Sequence, residues 1–120
     1  MDRARRKELI EAYKQRKPDM GIFIIRPRSG EKCHIQSAPD LKGAMNGALA
    51  RLEGAMHPVK ELQQAWNEHG PEYFTMEVLE TLPYDGDEAK TDYTEELTLL
   101  QMIWEERLAG EGMARYRKRI

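Results

Sequence analysis

The sequence of 120 residues contains a single cysteine, Cys33, and no long apolar run. One thiol excludes a disulfide within the chain, and it excludes a zinc site built from several thiolates. The apolar runs fall well short of the roughly 18 residues needed to cross a bilayer. The first residues are basic but lack the apolar segment of a secretory signal. These absences predict a cytoplasmic protein that does not interact with membranes.

The net charge is small, at −2, but the charges are unevenly distributed. Residues 1–60 hold 13 Lys and Arg against 7 Asp and Glu, whereas residues 61–120 hold 6 against 14. A basic half favours contacts with phosphates, and an acidic half favours a basic protein partner. The plainer interpretation is that the two halves neutralise each other in a single folded domain. The length suits one domain with a modest core.

A β-hairpin over residues 21–36 is the element around which we expect the chain to pack. Residues 22–25 are β-branched or aromatic, as strands prefer. Pro27, Ser29 and Gly30 carry turn chemistry, and residues 32–35 resume an extended pattern. The sequence therefore predicts two neighbouring antiparallel strands near the start of the chain.

The other elements follow from periodicity and from helix start and stop signals. An N-terminal helix is predicted over residues 1–17, capped by Asp2 and carrying a narrow stripe of Leu9, Ile10 and Tyr13. Further helices are predicted over residues 41–53 and 59–69, and a third strand over 73–79 with the Phe74 side buried. A last helix is expected to start at a Thr94 cap, before a frayed basic tail.

The acidic loop of residues 83–92 has the spacing of a calcium-binding loop but not its residues. Such a loop requires glycine at its sixth position, where this chain has Lys90, and an oxygen ligand at its fifth, where it has Ala89. The sequence therefore predicts no metal site in this loop.

Two tripeptides of the hairpin resemble, with substitutions, the two tripeptides that name the GIY-YIG nuclease family. They are Gly21-Ile22-Phe23 and His34-Ile35-Gln36. The segment of residues 37–42 is similar to the family's serine and aspartate-leucine segment, and residues 57–80 resemble a subgroup of bacterial and phage members. The resemblance spans about residues 18–108. It implies an α+β fold with a small three-stranded antiparallel sheet flanked by helices. The predicted extra N-terminal helix (1–17) and the basic C-terminal tail (109–120) lie outside this span.

The resemblance also implies a chemistry whose key positions are replaced in this chain. The family hydrolyses phosphodiesters with one divalent metal held by a glutamate, assisted by two tyrosines, an arginine and often a histidine. The family's two tyrosines correspond to Phe23 and His34 in this chain. Its arginine corresponds to Ala44, and its histidine, four residues further on, corresponds to Ala48. Its glutamate corresponds to Gln101. An amide oxygen is a poor sole protein ligand for Mg²⁺. The expectation is a catalytically degenerate domain with no catalytic residue, metal or cofactor.

A degenerate domain of this kind would be a non-enzymatic module that binds DNA or RNA or has a regulatory role. The candidate phosphate contacts are the basic residues around the hairpin and the following helices, namely Arg26, Arg28, Lys32, Lys42, Arg51 and Lys60. His57 corresponds to a histidine of the active subgroup, but before Pro58 it is also an ordinary helix-start residue. Two alternatives remain open at this point. One is an Mg²⁺-dependent endonuclease with a rebuilt site of His34, His57 and an acid such as Glu77, and the other is a protein-interaction module that uses the acidic residues 85–106.

Overall fold

The computed structural model describes residues 3–8 and 17–119, and residues 3–8 are helical. The predicted cap Asp2 and the stripe of Leu9, Ile10 and Tyr13 lie outside the described residues. The predicted hairpin is present: β1 (Met20–Pro27) and β2 (Lys32–Ala38) pair antiparallel. The chain then forms α1 (Leu41–Glu53), α2 (Lys60–His69), a 3-10 turn (Pro71–Tyr73), β3 (Phe74–Leu82), α3 (Thr94–Gly110) and β4 (Ala114–Arg115).

The sheet has four strands in the order β3-β1-β2-β4. β1 is the central strand, because it pairs antiparallel with both β2 and β3. Its side chains alternate between the two faces of the sheet, and both faces are covered. This arrangement confirms the predicted α+β fold. The predicted strand number was one too low, because the short β4 pairs in parallel with Lys32 and Cys33 of β2.

One face of the sheet packs against α1 and α2, and the other packs against α3. Phe23 and Ile25 of β1 contact the first cluster, which includes Leu52 of α1 and Leu62 of α2. On the opposite face, Ile22, Ile24, Cys33 and Ile35 contact Leu108 of α3, with Leu100 and Trp104 beside it. The hairpin is thus enclosed between helices, as its apolar sequence predicted.

The start of α3 differs from the prediction in its capping residue. Thr94 is the first helical residue rather than the cap, and the preceding Tyr93 makes no side-chain capping bond. The Asp92 carboxylate instead accepts hydrogen bonds from the Thr94 N–H at 3.0 Å and the Thr94 hydroxyl at 2.6 Å. An acidic acceptor at this point also suits the positive end of the helix dipole.

β3 is longer and less buried than predicted. It continues to Leu82, and its Phe74 side is buried at the start but open further along, where Val78 is 46% exposed. The reason is its position at the edge of the sheet, where helices cover only part of the strand. Leu79 packs toward α3 from the opposite side of the strand.

Residues 114–118 pack against the domain, so the prediction of a frayed tail is wrong for this segment. The Tyr116 N–H donates to the Cys33 carbonyl at 2.9 Å, and the Lys60 and Glu61 N–H groups donate to the carbonyls of Lys118 and Arg117, each at 3.1 Å. The Glu61 carboxylate also accepts from the backbone N–H of Arg117 at 3.0 Å. The tail therefore connects the edge of β2 to the start of α2.

None of the described helices combines the length and apolar character required to span a membrane.

Candidate functional site

The outer edge of β2 is open beyond its first two residues. β4 pairs only with Lys32 and Cys33, so among the described residues no strand covers the edge from His34 onward. A cleft of about 570 Å³ lies there, between β2, α3 and the C-terminal tail. Its lining residues are Cys33, His34, Ile35, Gln101, Glu105, Arg115, Tyr116, Arg117 and Lys118. The cleft is open and lined by both polar and apolar side chains, and it is the candidate functional site.

Gln101 connects the open edge of β2 to α3. Its Oε1 accepts a hydrogen bond from the Ser37 backbone N–H at 3.0 Å, and its Nε2 donates to Glu105 Oε1 at 2.9 Å. Arg115 of β4 then donates through Nη1 to Glu105 Oε2 at 2.6 Å. Both ends of the amide are satisfied, which gives Gln101 a structural role at the border of the core. These bonds also fix Glu105, whose carboxylate is the only one among the described residues that line the cleft.

His34 and His57 form an edge-to-face pair with ring centroids 5.3 Å apart. The buried His57 accepts the Val59 N–H at Nδ1, over 3.1 Å, so its proton is assigned to Nε2. Burial lowers the pKa of His57 to about 4, with smaller contributions from His34 and Arg51. Burial also lowers the pKa of His34, and the hydrogen bond to Gln36 opposes that change. Both imidazoles are neutral at pH 7.

The four positions that the resemblance marked as the former site do not share one pocket. His34 and Gln101 line the cleft, but Phe23 is fully buried in the cluster beneath α1 and α2. Ala44 and Ala48 of α1 pack against that same cluster. Ala48 is only 1% exposed, so a histidine there would require repacking of the core.

The six basic candidates for phosphate contacts are distributed over the hairpin, α1 and α2. Two of them adjoin the lining of the cleft: Lys32 precedes Cys33 in β2, and the Lys60 N–H donates to the Lys118 carbonyl. Arg26 Nη2 lies 3.8 Å from Glu77 Oε2, and Lys32 Nζ lies 3.2 Å from Glu61 Oε2. Arg28 donates to the Glu72 carbonyl at 2.9 Å. Lys42 and Arg51 are exposed on α1, and Lys60 is the first residue of α2. None of the six is itself among the lining residues of the candidate site.

Apart from Glu105, which belongs to the acidic residues 85–106 and lines the cleft, the acids named in the two alternative hypotheses lie elsewhere. Glu77 is on β3 beside Arg26, and β1 lies between β3 and β2, the strand that carries His34. In the acidic loop, Asp85 and Asp87 accept backbone N–H groups two residues further along. Glu96 pairs with Lys90 at 2.8 Å. These carboxylates therefore contribute to the local structure of the loop.

Sequence reasoning missed the residues that give the cleft its charge. Arg115, Arg117 and Lys118 of the tail face a single acidic lining residue, Glu105, which leaves a formal charge of +2. The signal available in the sequence was the pair of apolar residues within the basic tail. Met113 packs on the α3 side of the sheet, and Tyr116 packs on the α1 and α2 side. Apolar residues that alternate in this way are typical of an ordered segment.

The residues present do not fit the divalent metal that the resemblance implies. Gln101 offers the cleft no free oxygen, because its carbonyl is bonded to Ser37. The Glu105 carboxylate is held by Gln101 and Arg115. Within residues 3–8 and 17–119, no group of three or more His, Cys, Asp or Glu side chains could hold a metal ion.

Comparison with known proteins supports the fold. No protein-family model and no curated protein sequence matches the chain. Among solved structures, it is similar to the catalytic domain of the homing endonuclease I-TevI, with 24% identity, a TM-score of 0.63, and coverage of 80% of this chain and 96% of that one. A glutamate-to-alanine mutant of the catalytic domain of the intron endonuclease I-TevI matches with 23% identity, the same TM-score and 90% coverage of its own chain.

The likeness therefore establishes a GIY-YIG-like fold for this protein, as the two tripeptides of the hairpin indicated.

Proposed function

We propose that this protein binds nucleic acid through the cleft at the open edge of β2, without hydrolysing the phosphodiester backbone. The observation that carries the proposal is the composition of that cleft. Arg115, Arg117 and Lys118 outnumber Glu105, the one acidic residue among the described lining residues, and a glutamine stands where the resemblance implies a carboxylate. Cationic side chains in an open groove supply the sequence-independent part of nucleic-acid affinity.

The side chain most available for a phosphate contact is Lys118. Arg115 pairs with Glu105, and Arg117 pairs with Glu61 at 3.2 Å. Lys118 is exposed and forms no ion pair with another described residue. The paired arginines still contribute, because each guanidinium has donors beyond those its carboxylate uses. The neutral amide of Gln101 also repels a phosphate less than a carboxylate would.

The groups around the cleft support the proposed absence of hydrolysis. The His34 and His57 rings are adjacent, but the Nδ1 of His57 is occupied by the Val59 N–H. Phe23 lacks a hydroxyl and is enclosed in the core. Without a free carboxylate to hold a metal, the charge that develops on an attacked phosphate has no counter-ion beyond the tail cations. I-TevI is described as an endonuclease, whereas this domain would keep only the binding role.

The test is a titration of labelled duplex DNA, single-stranded DNA and RNA at two salt concentrations. We expect binding that weakens with salt, and we expect Lys118→Ala to weaken it about three- to tenfold while lowering the salt slope by about 1. Lys42→Ala is the matched control, since Lys42 is an exposed lysine outside this cleft. No binding at low salt, or equal losses for both variants, would overturn the proposal.

A second measurement addresses hydrolysis directly. Protein incubated with supercoiled plasmid and Mg²⁺ or Mn²⁺ should leave the plasmid intact. Nicking by the wild-type protein that a His34→Ala variant cannot perform would show that the domain is an active nuclease.

A further inference from the structure

The outer face of α3 is apolar, although this helix already packs against the sheet through its other side. Toward the sheet it presents Leu97, Leu100, Trp104 and Leu108. Away from the sheet, Leu99 and Met102 are each 59% exposed and Ile103 is 46% exposed. A helix that covers one side of a sheet normally has a polar outer face. The outer residues therefore require an explanation other than the folding of one chain.

Leu99, Met102 and Ile103 form one continuous stripe, because residues three and four apart are neighbours on a helix surface. A single exposed leucine is ordinary, but a contiguous apolar stripe is typical of a surface that another molecule covers. The side chains around the stripe are exposed as well, including Glu95, Thr98, Glu106 and Arg107. The stripe is thus accessible along most of the length of α3.

The charges at the two ends of the stripe have opposite signs. Glu95 lies four residues before Leu99, and Arg107 lies four residues after Ile103, so these four residues form one ridge that is symmetric about residue 101. In a second copy that runs antiparallel, Leu99 would face Ile103 of that copy, and Glu95 would face its Arg107. The macrodipoles of antiparallel helices also attract each other.

We propose that two copies of this protein associate through the outer faces of α3, antiparallel about a two-fold axis near residue 101. A two-fold interface uses the same patch on both subunits, so the patch must be complementary to itself. The ridge from Glu95 to Arg107 meets this condition in both its apolar centre and its charged ends. The proposal does not rest on the proposed function, because Leu99, Met102 and Ile103 lie outside the lining of the cleft.

The dimer is expected to be weak. One helix face offers less area than the roughly 800 Å² per partner of a standard interface. Glu106 adds a negative charge at the same end of the helix as Arg107, which reduces the attraction toward Glu95 of the second copy. We therefore expect a dissociation constant of about 10 to 100 µM, so that the dimer forms only at high protein concentration.

Sedimentation velocity of the full chain from about 5 to about 500 µM tests the proposal. The weight-average sedimentation coefficient should rise from that of a monomer toward that of a dimer. Ile103→Glu places a carboxylate at the centre of the interface and should raise the dissociation constant at least tenfold, which corresponds to about 1.4 kcal/mol or more. Leu49→Glu, at a 38% exposed leucine on α1, is the matched control and should leave association unchanged.

Exchange of the two charged residues distinguishes this antiparallel interface from nonspecific hydrophobic association. Glu95→Arg alone should weaken association, because it brings like charges together at both ends of the two-fold interface. The double variant Glu95→Arg with Arg107→Glu should restore the dissociation constant to within about threefold of the wild-type value. Far-UV circular dichroism would verify that each variant is folded. A monomer at every concentration, a dimer that tolerates Ile103→Glu, or a double variant no better than the single one would overturn the proposal.

Discussion

Gln101 Oε1 accepts a hydrogen bond from the backbone N–H of Ser37 across 64 positions of sequence, at 3.0 Å. This contact joins the middle of α3 to the open edge of β2, and it determines which groups face the cleft. The carbonyl is directed at the strand, so the amide nitrogen faces Glu105. The donor and acceptor ends of one side chain thus match the two partners beside it.

The substitution Gln101→Glu should make the cleft depend on a metal ion. A carboxylate keeps the acceptor for Ser37 but loses the donor to Glu105, so two carboxylates face each other one helical turn apart. We expect a loss of about 1–2 kcal/mol in EDTA, which Mn²⁺ should reverse with a rise in melting temperature of about 3–8 °C. Thermal unfolding with EDTA and with Mn²⁺ measures both effects. The wild-type protein is the control, and we expect no response to Mn²⁺ from it. Equal melting temperatures of variant and wild type in EDTA would contradict the expectation.

Stability should fall as the pH falls from about 6.5 to about 4, because of His57. The pKa of His57 is lowered to about 4 in the folded protein, so in this window the unfolded chain binds a proton that the folded chain does not. The contribution is on the order of 3 kcal/mol for a buried group with this shift. Above pH 6.5 the ring is neutral in both states, and the stability contribution is constant.

The variant His57→Asn isolates this dependence from that of the carboxylates. Its amide oxygen can accept the Val59 N–H as the imidazole Nδ1 does, but it does not titrate. Urea unfolding at pH 7 and at pH 4.5 should show a smaller loss of stability for the variant than for the wild type. The same loss in both proteins would exclude His57 as the cause.

Gly21 should not tolerate a side chain. A Cβ at this position would lie 2.0 Å from the Glu80 carbonyl oxygen and 2.8 Å from the Thr81 Cα, both backbone atoms of β3 that cannot move aside easily. We expect Gly21→Ala to cost about 3 kcal/mol or to prevent folding. Gly47→Ala is the control, because a Cβ at Gly47 would meet no atom within 4 Å and alanine favours the interior of α1. That variant should gain about 0.5–1 kcal/mol in a urea titration. A Gly21→Ala protein as stable as the wild type would show that β1 and β3 can separate locally.

Loss of the Glu61 side chain should release the tail without unfolding the domain. Glu61 accepts the Arg117 backbone N–H and pairs with the Arg117 and Lys32 side chains, and the first of these bonds is the largest cause of its lowered pKa. In Glu61→Ala, hydrogen exchange of the amides in residues 114–118 should accelerate about tenfold, while the amides of β1 stay protected. Glu68→Ala, another acid of α2 that lies outside the cleft, serves as the control. Unchanged exchange at the tail would mean that β4 and Tyr116 hold it without Glu61.

The sequence predicted the hairpin, the three helices that follow it and the third strand, because each of these elements has a local signal. The apolar run of residues 22–25 forms the central strand, and the interval-of-four pattern in Leu41, Met45 and Leu49 forms α1. The bounds of α1 are those predicted, whereas the boundaries of β3 differ by one residue at its start and three at its end. These elements depend on contacts between residues close in sequence and on the periodicity of apolar positions. The GIY-YIG-like fold was predicted from the resemblance over about residues 18–108, which includes these elements.

Only the tertiary structure determined the site. The cleft combines β2, α3 and the C-terminal tail, and its key contacts join residues far apart in sequence, such as Arg117 to Glu61 over 56 positions. No local pattern specifies whether a basic segment packs or stays in solvent, since that depends on which partner the folded domain places beside it. The six basic residues selected from composition therefore lie outside the cleft lining, whereas the basic tail lines it. The sequence by itself determined how much charge the chain carries, and the fold decided where that charge lies.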